Sequence, residues 1–243
     1  MRSLSRCLTL HSICNVILSI ILLLQLSSWC PVVCTASAKS IFGIRTKDSA
    51  YISTLSSVDY NGVNLLDGFQ WIREVGGCLI GIQGDISDCE ECFMLIETQN
   101  CDHELTFNSR PLSCSAIAYT CRHLIAKRLR TNKRLTINVI IAGWDRVNDR
   151  PQMYCIDEIA SIREVGTYAI HGGEVPFLLS ILDQHSFTSL SSNSSAVSYD
   201  DRAMVLLIRR CWEQLSRRSY QRIDTSTVQL MRVSRKGCKT IRV

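Results

Sequence analysis

The sequence predicts an α+β fold in which two β-sheets are layered between helices. Short β-branched runs, such as residues 137–142, end at glycine or polar residues, which is typical of buried strands. Longer segments, such as residues 201–218, carry apolar side chains at helical spacing. These segments follow one another in the order β-β-α-α-β-β-α-α-β, so pairs of strands alternate with pairs of helices.

Polar turns separate the predicted strands. In chain order, the strands cover residues 40–44, 50–56, 137–142, 153–156 and 227–233, with further candidates at 62–67 and 76–82. Thr46-Lys47-Asp48 divides the first pair, and the polar segment 145–151 divides the second pair. A turn at Gly172-Gly173 then leads into a helix.

Four helices are predicted from the apolar spacing. They cover residues 88–100, 112–130, 173–185 and 201–218. Asp88 is the predicted N-cap of the first helix, with Glu90 and Glu91 in the first turn, where the helix dipole favours negative charge. Pro176 falls in the first turn of the third helix, where its missing N–H costs little. Residues 186–200 are Ser-rich and without periodicity, which predicts a loop.

Length and charge limit the possible classes of protein. The chain has 243 residues, 46% of them hydrophobic, which is enough for one sizeable core. Its formal net charge is +5, and Arg2 and Arg6 supply two of these charges. The remaining excess is too small to indicate a nucleic-acid partner, and basic runs such as residues 127–134 are interpreted as solvated helix faces.

Residues 1–38 form an N-terminal apolar extension that resembles a secretory signal. A basic start at Arg2 and Arg6 precedes an apolar run over 16–26, and Ala36-Ser37-Ala38 resembles a cleavage site. The run is too short to span a bilayer comfortably, so no stable membrane association is expected. A pro-segment that is never translocated and an incorrectly assigned first exon are alternative interpretations. The globular domain is predicted to cover residues 39–243.

The chain contains thirteen cysteines, an odd number that favours reduced thiols over a disulfide framework. Nine follow residue 35, and most of those lie within apolar patterns, where free cysteine behaves as a small hydrophobe. Cys89 and Cys92 form a CxxC motif, with Cys101 and His103 downstream. A single CxxC is weak support for zinc, and a low-pKa thiolate at the helix start is the alternative. We predict no metal site and no cofactor.

Several strings in the second half of the chain resemble one family. They are IIAGWD, YCIDEIAS, YAIHGG and FLLSILDQ, together with 118–124, the opening strand 40–44 and the turn Gly84-Asp85. In order and spacing they are similar to the β-type subunits of the 20S proteasome, and within that family they most resemble the non-catalytic beta type-2 (systematic beta-4) group. The resemblance covers roughly residues 40–235. It implies a four-layer αββα sandwich of the N-terminal nucleophile hydrolase type.

The resemblance also allows a test for catalytic residues. In active members, an N-terminal threonine freed by cleavage after glycine is the nucleophile, and an aspartate and a lysine support it. The one Gly-Thr pair here, Gly166-Thr167, lies inside the domain. The aspartate position falls near Thr54-Leu55, where no acidic residue occurs.

The remaining catalytic positions are also unmatched. The lysine position falls near Gln70-Trp71, and no lysine occurs between Lys47 and Lys127. The serine that follows the double glycine in active members meets Gly173 or Glu174. We therefore predict no catalytic residue and a non-catalytic subunit.

The resemblance implies other proteasome α and β subunits as partners and a location in cytoplasm and nucleus, in conflict with the signal-like extension. Two alternatives stay open. One is an active threonine peptidase matured at Thr35 or elsewhere. The other is a secreted, disulfide-containing binding protein on a degenerate hydrolase fold, for which Asn193 in the sequon Asn193-Ser194-Ser195 would be glycosylated.

A few other residues receive structural rather than chemical predictions. His171 is predicted to be a turn residue, and His123 a packed or rim residue on its helix. The tryptophans Trp71, Trp144 and Trp212 are predicted to be core or interface anchors, as large aromatic side chains usually are.

Overall fold

The computed structural model of the chain describes residues 40–60, 63–107, 110–131, 133–184, 201–218 and 227–242. The predicted extension 1–38, Thr35, the predicted loop 186–200 and the Asn193 sequon lie outside these residues. None of the helices in the described ranges is both long and apolar enough to cross a membrane.

The described residues form twelve strands and four helices. The strands are β1 (Ser40–Arg45), β2 (Ser49–Leu55), β3 (Val58–Tyr60), β4 (Val63–Leu66), β5 (Ile72–Val75), β6 (Cys78–Gly84), β7 (Ile137–Asp145), β8 (Arg150–Ile156), β9 (Ile162–Glu164), β10 (Tyr168–Gly172), β11 (Val228–Ser234) and β12 (Gly237–Ile241). The helices are α1 (Ile86–Thr106), α2 (Cys114–Arg130), α3 (Val175–Gln184) and α4 (Asp201–Arg218).

The strands build two five-stranded antiparallel sheets. The first has the order β10-β1-β2-β11-β12, and the second has the order β5-β6-β7-β8-β9. Hairpin pairing accounts for neighbours such as β7 and β8, whereas β10 reaches β1 from far along the sequence, with Ser40 opposite Gly172. The β3–β4 hairpin belongs to neither sheet.

Three buried clusters define four layers. Phe93 of α1 and Ile117 of α2 pack with residues of the second sheet, and Leu178 of α3 and Trp212 of α4 pack with residues of the first. A third cluster lies between the two sheets, with side chains such as Ile41, Ile52, Leu79, Ile140 and Met153. The layers are therefore helix, sheet, sheet, helix, which confirms the predicted α+β sandwich.

The N-cap predicted for the first helix is wrong. Asp85 caps α1, because its carboxylate accepts hydrogen bonds from the backbone N–H groups of Ser87, at 2.9 Å, and Asp88, at 3.4 Å. The Asp88 carboxylate instead accepts from the N–H of Thr136, at 2.8 Å. Two acidic residues three positions apart both suit a helix start, and in the structure one caps the helix while the other contacts the residue before β7.

The predicted end of this helix near Asn100 is also wrong, since α1 continues to Thr106. No glycine or proline occurs between Asn100 and Thr106 to stop it. Asn100 is buried inside the helix, and its side-chain oxygen accepts from the N–H of Leu112, at 3.0 Å. Asn100, the predicted end of the helix, instead links α1 to the segment before α2 through this hydrogen bond.

The predicted element order omitted several short strands. Residues 168–172, predicted to lead into a turn, form β10 and pair with β1. The strands β3, β5, β9 and β12 were also missed; they are three to five residues long. Strands this short depend on a paired neighbour more than on their own pattern, so periodicity alone cannot find them.

Candidate functional site

The first candidate site lies at the start of β1, where the resemblance would place a nucleophile nearby. Ser40 is buried, and its hydroxyl donates a hydrogen bond to the Glu174 carboxylate. The backbone N–H of Glu174 donates in turn to the Ser40 Oγ, at 3.3 Å. Pairing of β1 with β10 brings these two residues together, because the turn that contains Glu174 follows β10 directly.

The neighbouring strand β2 supplies hydroxyls and no carboxylate. The Thr54 hydroxyl donates to the backbone carbonyl of Ser40, at 2.9 Å. The Ser53 hydroxyl donates to the carbonyl of Gln229, at 3.0 Å, and accepts from the Trp212 indole N–H, at 2.8 Å. Both hydroxyls are therefore committed to holding β2 against adjacent elements.

The position assigned to the lysine falls near Gln70-Trp71, where Trp71 places an indole. Trp71 is completely buried, and its indole N–H donates to the carbonyl of Ser57, at 3.2 Å. Its ring packs on Phe69 with a centroid distance of 4.4 Å. Its backbone N–H donates to the side-chain oxygen of Gln229, at 3.2 Å. This position contributes packing and hydrogen bonds, and it has no cation to favour loss of a hydroxyl proton.

The described part of this site is a structural hydrogen-bond network. A threonine or serine nucleophile needs a general base and a group that stabilises its ionised form. Glu174 could accept a proton from Ser40, but Ser40 has no exposed surface for a substrate to reach. The network ties β1 to β2 and to the turn after β10.

A second candidate is a thiol–imidazole pair that sequence analysis did not find. Cys155 Sγ lies 2.9 Å from His171 Nε2. His171 belongs to β10 and not to a turn, and Cys155 belongs to β8 of the other sheet. The contact depends on how the two sheets stack, and its members lie sixteen positions apart along the chain, so no local motif marks it.

The electrostatics of this pair favour neutral partners. Burial, together with the nearby Arg163 cation, lowers the pKa of His171 to about 4. Burial raises the pKa of the Cys155 thiol. A neutral thiol donating to a neutral imidazole is a stable arrangement, whereas a nucleophilic cysteine requires a lowered thiol pKa.

The CxxC motif does not behave as a low-pKa thiolate site. Cys89 and Cys92 are both completely buried in α1, and burial raises the pKa of Cys89. The helix begins at Ile86, so Cys89 lies within its first turn and not before it. Within the described ranges, no group of three or more His, Cys, Asp or Glu side chains is placed to hold a metal ion. Cys101 is exposed, and His103 is hydrogen-bonded to the carbonyl of Arg110.

Comparison with known proteins places these features in a family. A sequence profile described as Proteasome subunit matches residues 35–214 of the chain. The chain belongs to the proteasome subunit family. The match includes β1 to α3 and most of α4, and it confirms the resemblance to proteasome β-type subunits inferred from the sequence strings.

Individual relatives of this proteasome subunit share modest identity. A "Probable proteasome subunit beta type-4" of Neurospora crassa is 32% identical over 111 residues, which are 46% of this chain and 50% of the relative. A protein of the same name from Meyerozyma guilliermondii is 25% identical over 203 residues, 83% of this chain and 98% of the relative. The "Proteasome subunit beta type-4" of Saccharomyces cerevisiae is 27% identical over 147 residues, 60% of this chain and 73% of the relative. The chain thus spans half the length of one relative and almost all of another.

The tryptophans and His123 of this proteasome subunit differ in how deeply they are buried. Trp71 and Trp212 are core residues, as predicted, and Trp144 is half-buried. His123 is exposed on α2 and lies at the rim of a groove of about 560 Å³. Tyr119, Arg122, His123, Ala126, Lys127, Arg130 and Thr131 line this groove.

The half-buried His171 predicts a pH dependence of stability. Its pKa is about 4 in the folded subunit and about 6.5 in the unfolded chain, so only the unfolded chain gains its proton between these values. Its contribution is complete above pH 6.5 and is lost as the pH falls towards 4, in total about 2 kcal/mol after allowance for partial exposure. Urea unfolding of the purified chain at a series of pH values measures this slope.

Two matched substitutions identify the residue responsible. His171→Gln is expected to flatten the slope between pH 6.5 and 4. His123→Gln, at an exposed position, is expected to leave the slope as it is. A slope that persists in the His171→Gln variant would assign the effect to other groups.

Proposed function

We propose that this chain is a non-catalytic structural β subunit of the 20S proteasome core particle and contributes to ring assembly in intracellular protein degradation. The observation that carries the proposal is that neither an aspartate nor a lysine occurs near the positions where the family's active members have them. The family's aspartate position falls near Thr54-Leu55, and its lysine position falls near Gln70-Trp71. Each of these positions contributes to packing or to hydrogen bonds between strands.

The proposal includes partners and location. Other α and β subunits of stacked hetero-oligomeric rings are the partners, and cytoplasm and nucleus are the location. The relatives named beta type-4 support this assignment. The boundary between an extension over 1–38 and a domain over 39–243 is part of the same proposal.

Purification through a C-terminal tag tests assembly and catalysis separately. Native mass spectrometry of the purified material is expected to show this chain within a proteasome particle. An electrophile directed at N-terminal threonine is expected to label other β subunits and to leave this chain unlabelled. Intact mass would also show whether residues 1–38 remain in the mature chain.

A substitution at the start of β1 sharpens the test. The Ser40→Ala variant is expected to assemble and to support the same peptidase activity of the particle as the unaltered chain, because Ser40 acts only within the structural network. An adduct on a new threonine N-terminus of this chain, such as Thr35, would instead favour the active peptidase.

A further inference from the structure

A cavity of about 1040 Å³ opens where four connections of the fold meet. It is bordered by the β5–β6 turn, the segment before α2, the β7–β8 turn and the β11–β12 turn. Two cysteines, Cys78 and Cys114, belong to its lining, although each is almost fully buried. The proteasome function proposed above uses neither thiol.

Because Gly143 has no side chain, it leaves room for two sulfur atoms to lie close to each other. Cys78 is the first residue of β6, and Cys114 is the first residue of α2. A Cβ atom built on Gly143 would lie 2.7 Å from Cys78 Sγ and 2.9 Å from Cys114 Sγ. Both sulfur atoms therefore lie next to the position that a side chain at residue 143 would occupy.

The surroundings give the two thiols different chemical characters. The neighbouring Cys114 thiol holds the pKa of Cys78 below that of an ordinary thiol, against the effect of burial. The Arg146 cation acts in the same direction, and the Glu74 carboxylate acts against it. The neighbouring Cys78 thiol, together with burial, raises the pKa of Cys114. Cys78 is the member of the pair whose thiol pKa is lowered, so we assign the first attack to Cys78 and the second to Cys114.

We propose that Cys78 and Cys114 form a redox-active dithiol that small hydroperoxides, entering through the cavity, oxidise to an intrachain disulfide. In the first step the Cys78 thiolate attacks a peroxide oxygen. An S–O bond forms, the O–O bond breaks, and the leaving alkoxide takes up the proton that Cys78 had released. In the second step Cys114 attacks the sulfenic sulfur, so an S–S bond forms, the S–O bond breaks and water leaves. The dithiol loses two electrons, and the peroxide gains them.

The chain contains a second thiol pair that serves as a control. Cys92 Sγ and Cys121 Sγ lie 4.0 Å apart, between α1 and α2. Both residues are completely buried, neither lines the cavity, and the pKa of Cys121 is raised by its hydrogen bond to Cys92 and by burial. Proximity is thus present in both pairs, whereas a place in the lining of a cavity belongs to Cys78 and Cys114 alone of these four residues.

The test uses the assembled particle that contains the full chain. The particle is exposed to graded hydrogen peroxide, free thiols are alkylated under denaturing conditions, and the peptides are mapped without reduction. The expected product is a Cys78–Cys114 cross-linked peptide that dithiothreitol reverses and that forms at least about tenfold faster than any Cys92–Cys121 product. Cys92 and Cys121 are expected to remain alkylated.

Single variants separate the two roles. Cys114→Ser is expected to leave a sulfenic acid on Cys78 that dimedone captures, and Cys92→Ser is expected to form the Cys78–Cys114 disulfide at the rate of the unaltered chain. Two results would overturn the proposal. One is a Cys78–Cys114 pair that stays reduced at peroxide concentrations that oxidise the exposed Cys101. The other is a Cys78 disulfide to Cys238, whose thiol donates to the carbonyl of Gly77 at 3.4 Å.

Discussion

Replacing Trp212 by alanine is expected to lower the free energy of unfolding by about 4 kcal/mol. Trp212 is completely buried in the cluster between the first sheet and its helices, and its ring lies 5.4 Å from that of Phe42. Truncation would leave a large cavity, because rigid strands and helices surround the site and collapse only in part. It would also remove the indole donor from the Ser53 hydroxyl. Urea unfolding of the purified chain measures the change.

Two substitutions separate packing from hydrogen bonding. Trp212→Phe keeps an aromatic ring against Phe42 and loses the donor to Ser53, so a loss of about 1–2 kcal/mol is expected. Trp144→Ala, at a half-buried position, is expected to cost less than Trp212→Ala. Equal losses for Trp144→Ala and Trp212→Ala would contradict the assignment of Trp212 to the core.

Replacing Gly84 by alanine is expected to cost about 3 kcal/mol, because the backbone there leaves no room for a side chain. Gly84 ends β6 with φ of +150°, immediately before the cap residue Asp85. A Cβ atom would lie 2.1 Å from the carbonyl oxygen of Thr136 and 2.8 Å from Ile137 Cα. These are backbone atoms at the start of β7 and of the residue before it, and they cannot move aside as a flexible side chain could. The change in urea midpoint of the purified chain reports the cost.

Gly173 offers the matched control. A Cβ built there meets no atom within 4 Å, so Gly173→Ala is expected to change stability by less than about 0.5 kcal/mol. If Gly84→Ala were equally neutral, the turn from β6 into α1 would have to be far more adaptable than its contacts indicate.

The sequence predicted the elements whose own pattern is strong. The helix predicted over 201–218 agrees with α4, because its buried residues Met204, Ile208, Cys211 and Leu215 recur at helical spacing along one face. The strand predicted over 137–142 lies within β7, whose apolar run is buried between neighbours on both sides. The apolar spacing within such a segment is enough to predict whether it is a helix or a strand, and tertiary packing changes only where the segment ends.

The candidate site was predictable in its composition and not in its contacts. The absence of an acid near Thr54 and of a lysine near Trp71 is readable from the residues alone. That Ser40 would hydrogen-bond to Glu174, 134 positions away, follows from the pairing of β1 with β10. Register between distant strands depends on the whole sheet, and no short window contains it.

The sequence by itself determined the family and the layered fold class, because these depend on residue types at fixed spacing. Only the tertiary structure decided which aspartate caps α1, where Cys155 meets His171, and how Gly143 lets Cys78 approach Cys114. Each of these depends on atoms brought together by sheet pairing and layer stacking. Hydrogen bonds and thiol contacts act over a few ångströms, so they follow the packed geometry and not the order of residues along the chain.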